Sequence, residues 1–158
     1  MLPDPLPDPV FARIGELAAA SFGWRLFTAM RYLPEQDAVE RVYSSDPLAY
    51  PAGGRKSKRD TPWSRQVLFE GRAFFGADAA ALREHFEDAD KIIALGFGAI
   101  INVPVKRGAQ VIGTLNFTRE AGGYRPADVA AALALAPLAA AALAARPDER
   151  GPAGKAFA

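Results

Sequence analysis

The stretch from Gly98 to Phe117, GAIINVPVKRGAQVIGTLNF, does most to limit what this chain can become. Two apolar runs rich in β-branched residues flank Lys106-Arg107-Gly108, a pattern that predicts an antiparallel hairpin. Side chains alternate between the two faces of a strand. With the turn centred on Gly108, Ile101, Val103 and Val105 share a face with Val111, Gly113, Leu115 and Phe117. That face is wholly apolar and predicts a core, and Gly113 leaves room for a helix to come close. The opposite face receives Ile100, Asn102, Pro104, Ile112, Thr114 and Asn116. Covered by helices, its polar groups must bond to protein, water or a ligand.

The rest of the chain builds out from this hairpin. Residues 1–8 read as an extended leader, with Asp8-Pro9 as an N-cap and first helical position. A helix follows to about Ser21, with Val10, Ile14, Leu17 and Ala18 as its apolar stripe and Gly23 to end it. Trp24–Leu33 and Ala38–Ser45 predict a first hairpin around Pro34–Asp37. Residues 46–60 carry prolines, paired glycines and a charge run, which predicts a long exposed loop.

Thr61-Pro62 signals a short helix to Glu70. Arg72–Phe75 can form a short strand, helical pieces cover Ala79–Phe86 and Asp88–Leu95, and Arg125-Pro126 opens a last helix ending near Arg146. Residues 147–158 read as a disordered tail, leaving one domain over 9–146. The order of elements predicts an α+β fold: a central antiparallel sheet of five or six strands with helices on both faces.

Composition removes several chemistries. The chain of 158 residues has no cysteine, which excludes disulfides, thiolate nucleophiles, zinc-thiolate sites and thioether-linked cofactors. Nineteen Lys and Arg against eighteen Asp and Glu leave a net charge of +1, with no global field toward nucleic acid or an acidic membrane. The N-terminus has neither the basic nor the apolar region of a signal peptide, so a cytoplasmic location is expected. Ala127–Ala145 approaches membrane-spanning length. It is mostly alanine and contains Pro137, which favours a helix packed on protein.

At Gly96–Val105, Gly108, Val111–Leu115 and Tyr124–Asp128 the chain resembles a GAF domain, a small sensory module, over roughly Val10 to Arg146. The resemblance rests on a strand ending in Val-Pro-aliphatic, a glycine turn, an aliphatic-Gly-aliphatic strand and an aromatic-x-x-x-Asp helix start. It implies a PAS-related sheet ordered 2-1-5-4-3, terminal helices on one face and a ligand pocket on the other, under the mid-chain helices. A PAS domain fits less well, because long first and last helices bracket the sheet here. Within the family, free methionine-R-sulfoxide reductase needs reactive cysteines, and so does a covalently held bilin; neither suits this chain. The cyclic-nucleotide signature is incomplete: Phe86 and Asp90 have suitable spacing, but the Asn-Lys pair and the final Glu are missing.

The candidate ligand-binding residues are Trp63, Phe75, Phe97, Asn102, Thr114 and Asn116. Each also has a plainer role: the polar three bonded to loop backbone, and the aromatics, with Phe69 and Phe74, packed as core. Arg55, Lys56, Lys58 and Arg59, just before the helix start at Thr61-Pro62, form a possible anion site or a solvated charge run. His85, the sole histidine, lacks companions for a metal site, and neighbouring carboxylates resemble a solvated helix face.

The expected function is therefore a non-enzymatic sensory module. It would bind an unidentified small molecule between the sheet and residues 61–97, need no cofactor or metal, and contact neither nucleic acid nor membrane. Its output would pass through a homodimer formed by the first and last helices, or through a partner protein. The alternative is a ligand-free dimerisation or interaction module.

Overall fold

The structure is a computed structural model that describes residues 9–53, 55–57 and 61–150. The leader 1–8 with its Asp8 cap, Lys58 and Arg59, and residues 151–158 lie outside the described residues. Helix α1 (Pro9–Ser21) precedes a hairpin of β1 (Leu26–Leu33) and β2 (Ala38–Ser44). A short β3 (Arg55–Ser57) then leads to α2 (Pro62–Ser64), which continues as a π-helical turn over Arg65–Phe69. After β4 (Phe74–Gly76) come α3 (Ala79–His85) and α4 (Ala89–Ala94), the long hairpin of β5 (Ala99–Arg107) and β6 (Gln110–Arg119), and α5 (Pro126–Arg150).

All five pairings are antiparallel, and the sheet runs β3-β2-β1-β6-β5-β4. Without its edge strand β3, this is the 2-1-5-4-3 order that the resemblance implies. Part of the expected 46–60 loop is thus a strand, paired to Ala38–Glu40, and Tyr50 within it is buried. Helix α5 runs through both Pro137 and Pro147 to Arg150, past the end expected near Arg146.

The two faces carry separate apolar clusters. Against α1 and α5 lie Phe27, Ile101, Val103, Val105, Leu115 and Phe117, met by Phe11, Ile14, Ala132, Ala136 and Leu143. The buried stripe of α1 is Phe11, Ile14, Gly15 and Ala18, so the helix is turned relative to the expected Val10-Ile14-Leu17-Ala18 face. Gly15 explains the turn: an added Cβ there would meet the Phe27 ring at 3.2 Å, so α1 approaches the sheet on its glycine side. The opposite face packs Val39, Phe74 and Ile100 against Val67, Leu82 and Ile92.

Gly113 performs its expected role. A Cβ on it would overlap Met30 O and come within 2.8 Å of Leu143 Cδ1 of α5. The hairpin turn is Gly108-Ala109, with Gly108 at φ +64° in the position that a type II′ turn reserves for glycine. Next to it the expected alternation fails. Val105 pairs with Gly113 but Lys106 pairs with Val111, leaving Ile112 as the extra residue of a β-bulge. Val111 therefore packs on the second cluster and Ile112 on the first, the reverse of the expected faces. A similar bulge at Val42 in β2 turns Tyr43 toward α1, where it meets Phe11 and Phe27 with ring centroids 5.6 and 5.5 Å away.

Arg31 and Glu40 form a buried ion pair at 3.0 Å on the face covered by α1 and α5, and Arg31 Nε also reaches Leu143 O at 3.4 Å. This ties β1 and β2 to the far part of α5.

Candidate ligand-binding site

Between the second face of the sheet and the helices of residues 61–97 lies a cavity of about 190 Å³. An engineered protein cavity of about 150 Å³ takes up benzene, so this one has room for a small aromatic metabolite. Thr28, Asn102, Asn116, Ile100 and Thr118 form its floor. Trp63 and Ser64 of α2, the His85–Asp88 turn, Ile92 of α4 and Phe97 stand over that floor, and Arg41 of β2 and Tyr50 close one side.

The floor is one row across three strands, because Asn116 pairs in register with Asn102 on one side and Thr28 on the other. The register makes a chain of side-chain hydrogen bonds. Trp63 Nε1 donates to Asn102 Oδ1 at 3.0 Å, Asn102 Nδ2 to Asn116 Oδ1 at 2.8 Å, and Asn116 Nδ2 to Thr28 Oγ1 at 3.1 Å. The amides thus bond to one another and to Trp63, not to loop backbone as the plainer expectation had it. In this row both asparagine orientations follow from their partners, since Trp63 can only donate.

Trp63 is held from both ends. Ser64 N donates to Thr61 Oγ1 at 3.1 Å and Thr61 N reaches Ser64 Oγ at 2.9 Å, a reciprocal capping box that sets the start of α2. Phe86 approaches Trp63 with ring centroids 6.2 Å apart, and Phe74 backs Phe86 edge-on at 5.7 Å. His85 Nδ1 is within 2.9 Å of Ala81 O and its ring meets Phe74 at 4.7 Å, a packed histidine at the cavity edge.

Of the six expected ligand residues, Trp63, Phe97, Asn102 and Asn116 line this cavity. Phe75 does not. In register with Ile101 it points to the face covered by α1 and α5, because β4 puts Phe74 and not Phe75 in the Asn102 row. Thr114 is fully buried in the next row, between Met30 and Pro104, and does not reach the cavity. Phe74 belongs to the second apolar cluster, and Phe69 is 53% exposed, so neither is a cavity wall. Of the expected anion site, Arg55 and Lys56 enter β3, while Lys58 and Arg59 lie outside the described residues. No cluster of three or more potential metal ligands occurs among the described residues.

Sequence reasoning missed Thr28, Arg41, Tyr50 and Phe86. Thr28 and Arg41 follow from the register of the first hairpin, once the bulge at Val42 is known. Tyr50 had one visible signal, an aromatic between Pro47 and Pro51 in a polar loop. Its ring lies 5.2 Å from the Arg41 guanidinium carbon and 4.8 Å from Lys91 Nζ. Burial lowers the basicity of Arg41, partly offset by Tyr50 and Asp88. Burial likewise raises the Tyr50 phenol above its ordinary value, Asp88 adding to this and Arg41 opposing it, so the hydroxyl stays protonated at neutral pH.

A two-cluster α+β sandwich with a cavity on one face and terminal helices on the other has the architecture of a small sensory domain. A GAF domain family model matches residues 8–144, and the chain belongs to that family. Among solved structures it is similar to the GAF domain/HD domain protein of Geobacter sulfurreducens at 15% identity, covering 86% of this chain and 91% of that one, with a TM-score of 0.68. The GAF domain of a two-component sensor histidine kinase from Bacillus halodurans matches at 13% identity, 89% and 95% coverage and a TM-score of 0.67. Free methionine-R-sulfoxide reductase from Neisseria meningitidis, in complex with its substrate, matches at 18% identity, 89% and 81% coverage and a TM-score of 0.62. Among curated proteins no sequence matched this one. The GAF family is one of sensory modules, and at these identities the likeness fixes the fold alone.

Proposed function

We propose that this GAF domain is a non-enzymatic sensor that binds a small molecule in the cavity over the Asn102-Asn116-Thr28 row. The observation that carries this reading is the row itself, three buried polar side chains held in register beneath open space instead of packed protein. The absence of cysteine supports a binding role over the reductase chemistry of the Neisseria structure's namesake. The test is a thermal-shift screen against metabolites. A ligand that binds the folded state raises the melting temperature by mass action, and Asn102→Leu is expected to abolish the shift. A screen without a single stabilising compound would sink this reading.

Output through a homodimer is the second part of the proposal, favoured by the outer stripe of α5. Ala130, Leu133, Ala134, Pro137, Leu138 and Ala141 are exposed, with Leu133 at 41% and Leu138 at 50%, and no charge falls between Asp128 and Arg146. Small residues let a second helix approach closely. A dimer that forms without any ligand in the cavity would favour the interaction-module alternative.

A further inference from the structure

The cavity has a polar end that the protein leaves unsatisfied. Among its lining residues, Arg41 Nε and Tyr50 Oη are buried without a hydrogen-bond partner, and Tyr50 is only 7% exposed. A buried donor that nothing pairs with keeps its full desolvation cost. They are also adjacent, with the guanidinium carbon 5.2 Å from the ring centroid. Arg41 is otherwise anchored: Nη1 donates to Pro51 O at 3.2 Å, and its own carbonyl accepts from Gly53 N, which fastens the Tyr50 segment to β2. Asp88 lies close enough to be felt electrostatically by both groups, yet no ion pair joins it to Arg41.

The other walls make a different demand. Trp63 Nε1 is already taken by Asn102, so Trp63, Phe86 and Phe97 offer the cavity apolar surface. One end thus presents two donors, one of them on a cation, with Asp88 beside them; over the floor of Asn102, Asn116 and Thr28, whose amides are already paired with one another and with Thr28, the rings of Trp63, Phe86 and Phe97 flank a volume of about 190 Å³.

Resting on the sensor reading above, we propose that the ligand is a small aromatic carboxylate, its carboxylate accepting from Arg41 Nε and Tyr50 Oη and its ring lying among Trp63, Phe86 and Phe97. A carboxylate has two oxygens for two donors, and a hydrogen bond to a guanidinium is strengthened by charge. A neutral carbonyl would meet the same donors with less of that gain.

The test is calorimetric titration of the full chain with benzoate, 2-naphthoate and indole-3-carboxylate, each beside its carboxamide and its methyl analogue. The expected result is a carboxylate bound about tenfold or more tightly than its methyl analogue, with the carboxamide between them. Tyr50→Phe, which keeps the ring and its cation contacts, should weaken the carboxylate about five- to tenfold and leave the methyl analogue unchanged. Arg41→Lys, which keeps the charge but loses Nε, should do the same. Equal binding of carboxylate and methyl analogue, or a carboxylate indifferent to Tyr50→Phe, overturns the proposal. If every probe fails while another metabolite stabilises the protein, the carboxylate assignment falls and the sensor reading stands; silence from probes and metabolite screen alike overturns both.

Discussion

Asn102 and Asn116 stand directly opposite one another on β5 and β6, and the amide nitrogen of Asn102 donates across 2.8 Å to the amide oxygen of Asn116. Each bond in this row depends on its neighbours, because Asn102 also accepts from Trp63 and Asn116 also donates to Thr28. Asn102→Leu strips partners from both Trp63 Nε1 and Asn116 Oδ1 and should cost about 3 kcal/mol in urea unfolding. Adding Asn116→Leu removes one of the stranded groups, so the double variant should cost about 1 kcal/mol less than the sum of the singles. Strict additivity would mean that the amides act independently.

Gly113 faces the strictest steric limit in the sheet. Gly113→Ala sets a methyl group against Met30 O and Leu143 Cδ1 and should destabilise the fold by about 3 kcal/mol. Thermal melting checks this, and a cost under about 0.5 kcal/mol would show that α5 moves aside freely.

Tyr124 should set part of the alkaline limit. It is buried, its hydroxyl donates to Gly23 O at 2.8 Å, and burial holds its phenol well above the ordinary value. A group whose pKa is raised by folding contributes fully below its unfolded value of about 10, and that contribution is lost as pH climbs through the folded value. Melting temperature should therefore fall above about pH 10. Tyr124→Phe should lose about 1 kcal/mol at neutral pH and fall less steeply between pH 9 and 11.

The Thr61-Ser64 capping box controls where Trp63 stands. Thr61→Ala should cost about 1 kcal/mol of stability. It should also weaken any ligand that stacks on Trp63, whereas Arg13→Ala, at an exposed i,i+3 ion pair on α1, should alter neither quantity. Melting curves with and without the ligand separate the two effects.

Leu138 projects from the outer stripe of α5, half exposed, and is a member of neither core cluster. Leu138→Glu should convert a dimer to a monomer in sedimentation experiments at micromolar concentration, with the monomer's fold unchanged by circular dichroism. A wild-type chain that is already monomeric there removes this mode of output.

The sequence by itself determined the helices and strands other than β3, and their order. Apolar alternation around Gly108 marked the central hairpin, Thr61-Pro62 marked α2, and Gly113 marked the close approach of α5, because each of these signals is local in the chain. Four of the six expected ligand residues face the cavity for the same reason: strand period and helix starts are short-range properties. Tertiary structure decided the remainder. The bulges at Ile112 and Val42 come from fitting one strand to another, and each reverses the faces of the residues beyond it. The register of β4 against β5 chose Phe74 over Phe75 for the cavity face. Arg41 and Tyr50 meet only because β2 and the Tyr50 segment fold onto the same edge, leaving two buried donors that no periodicity in the sequence could have brought together.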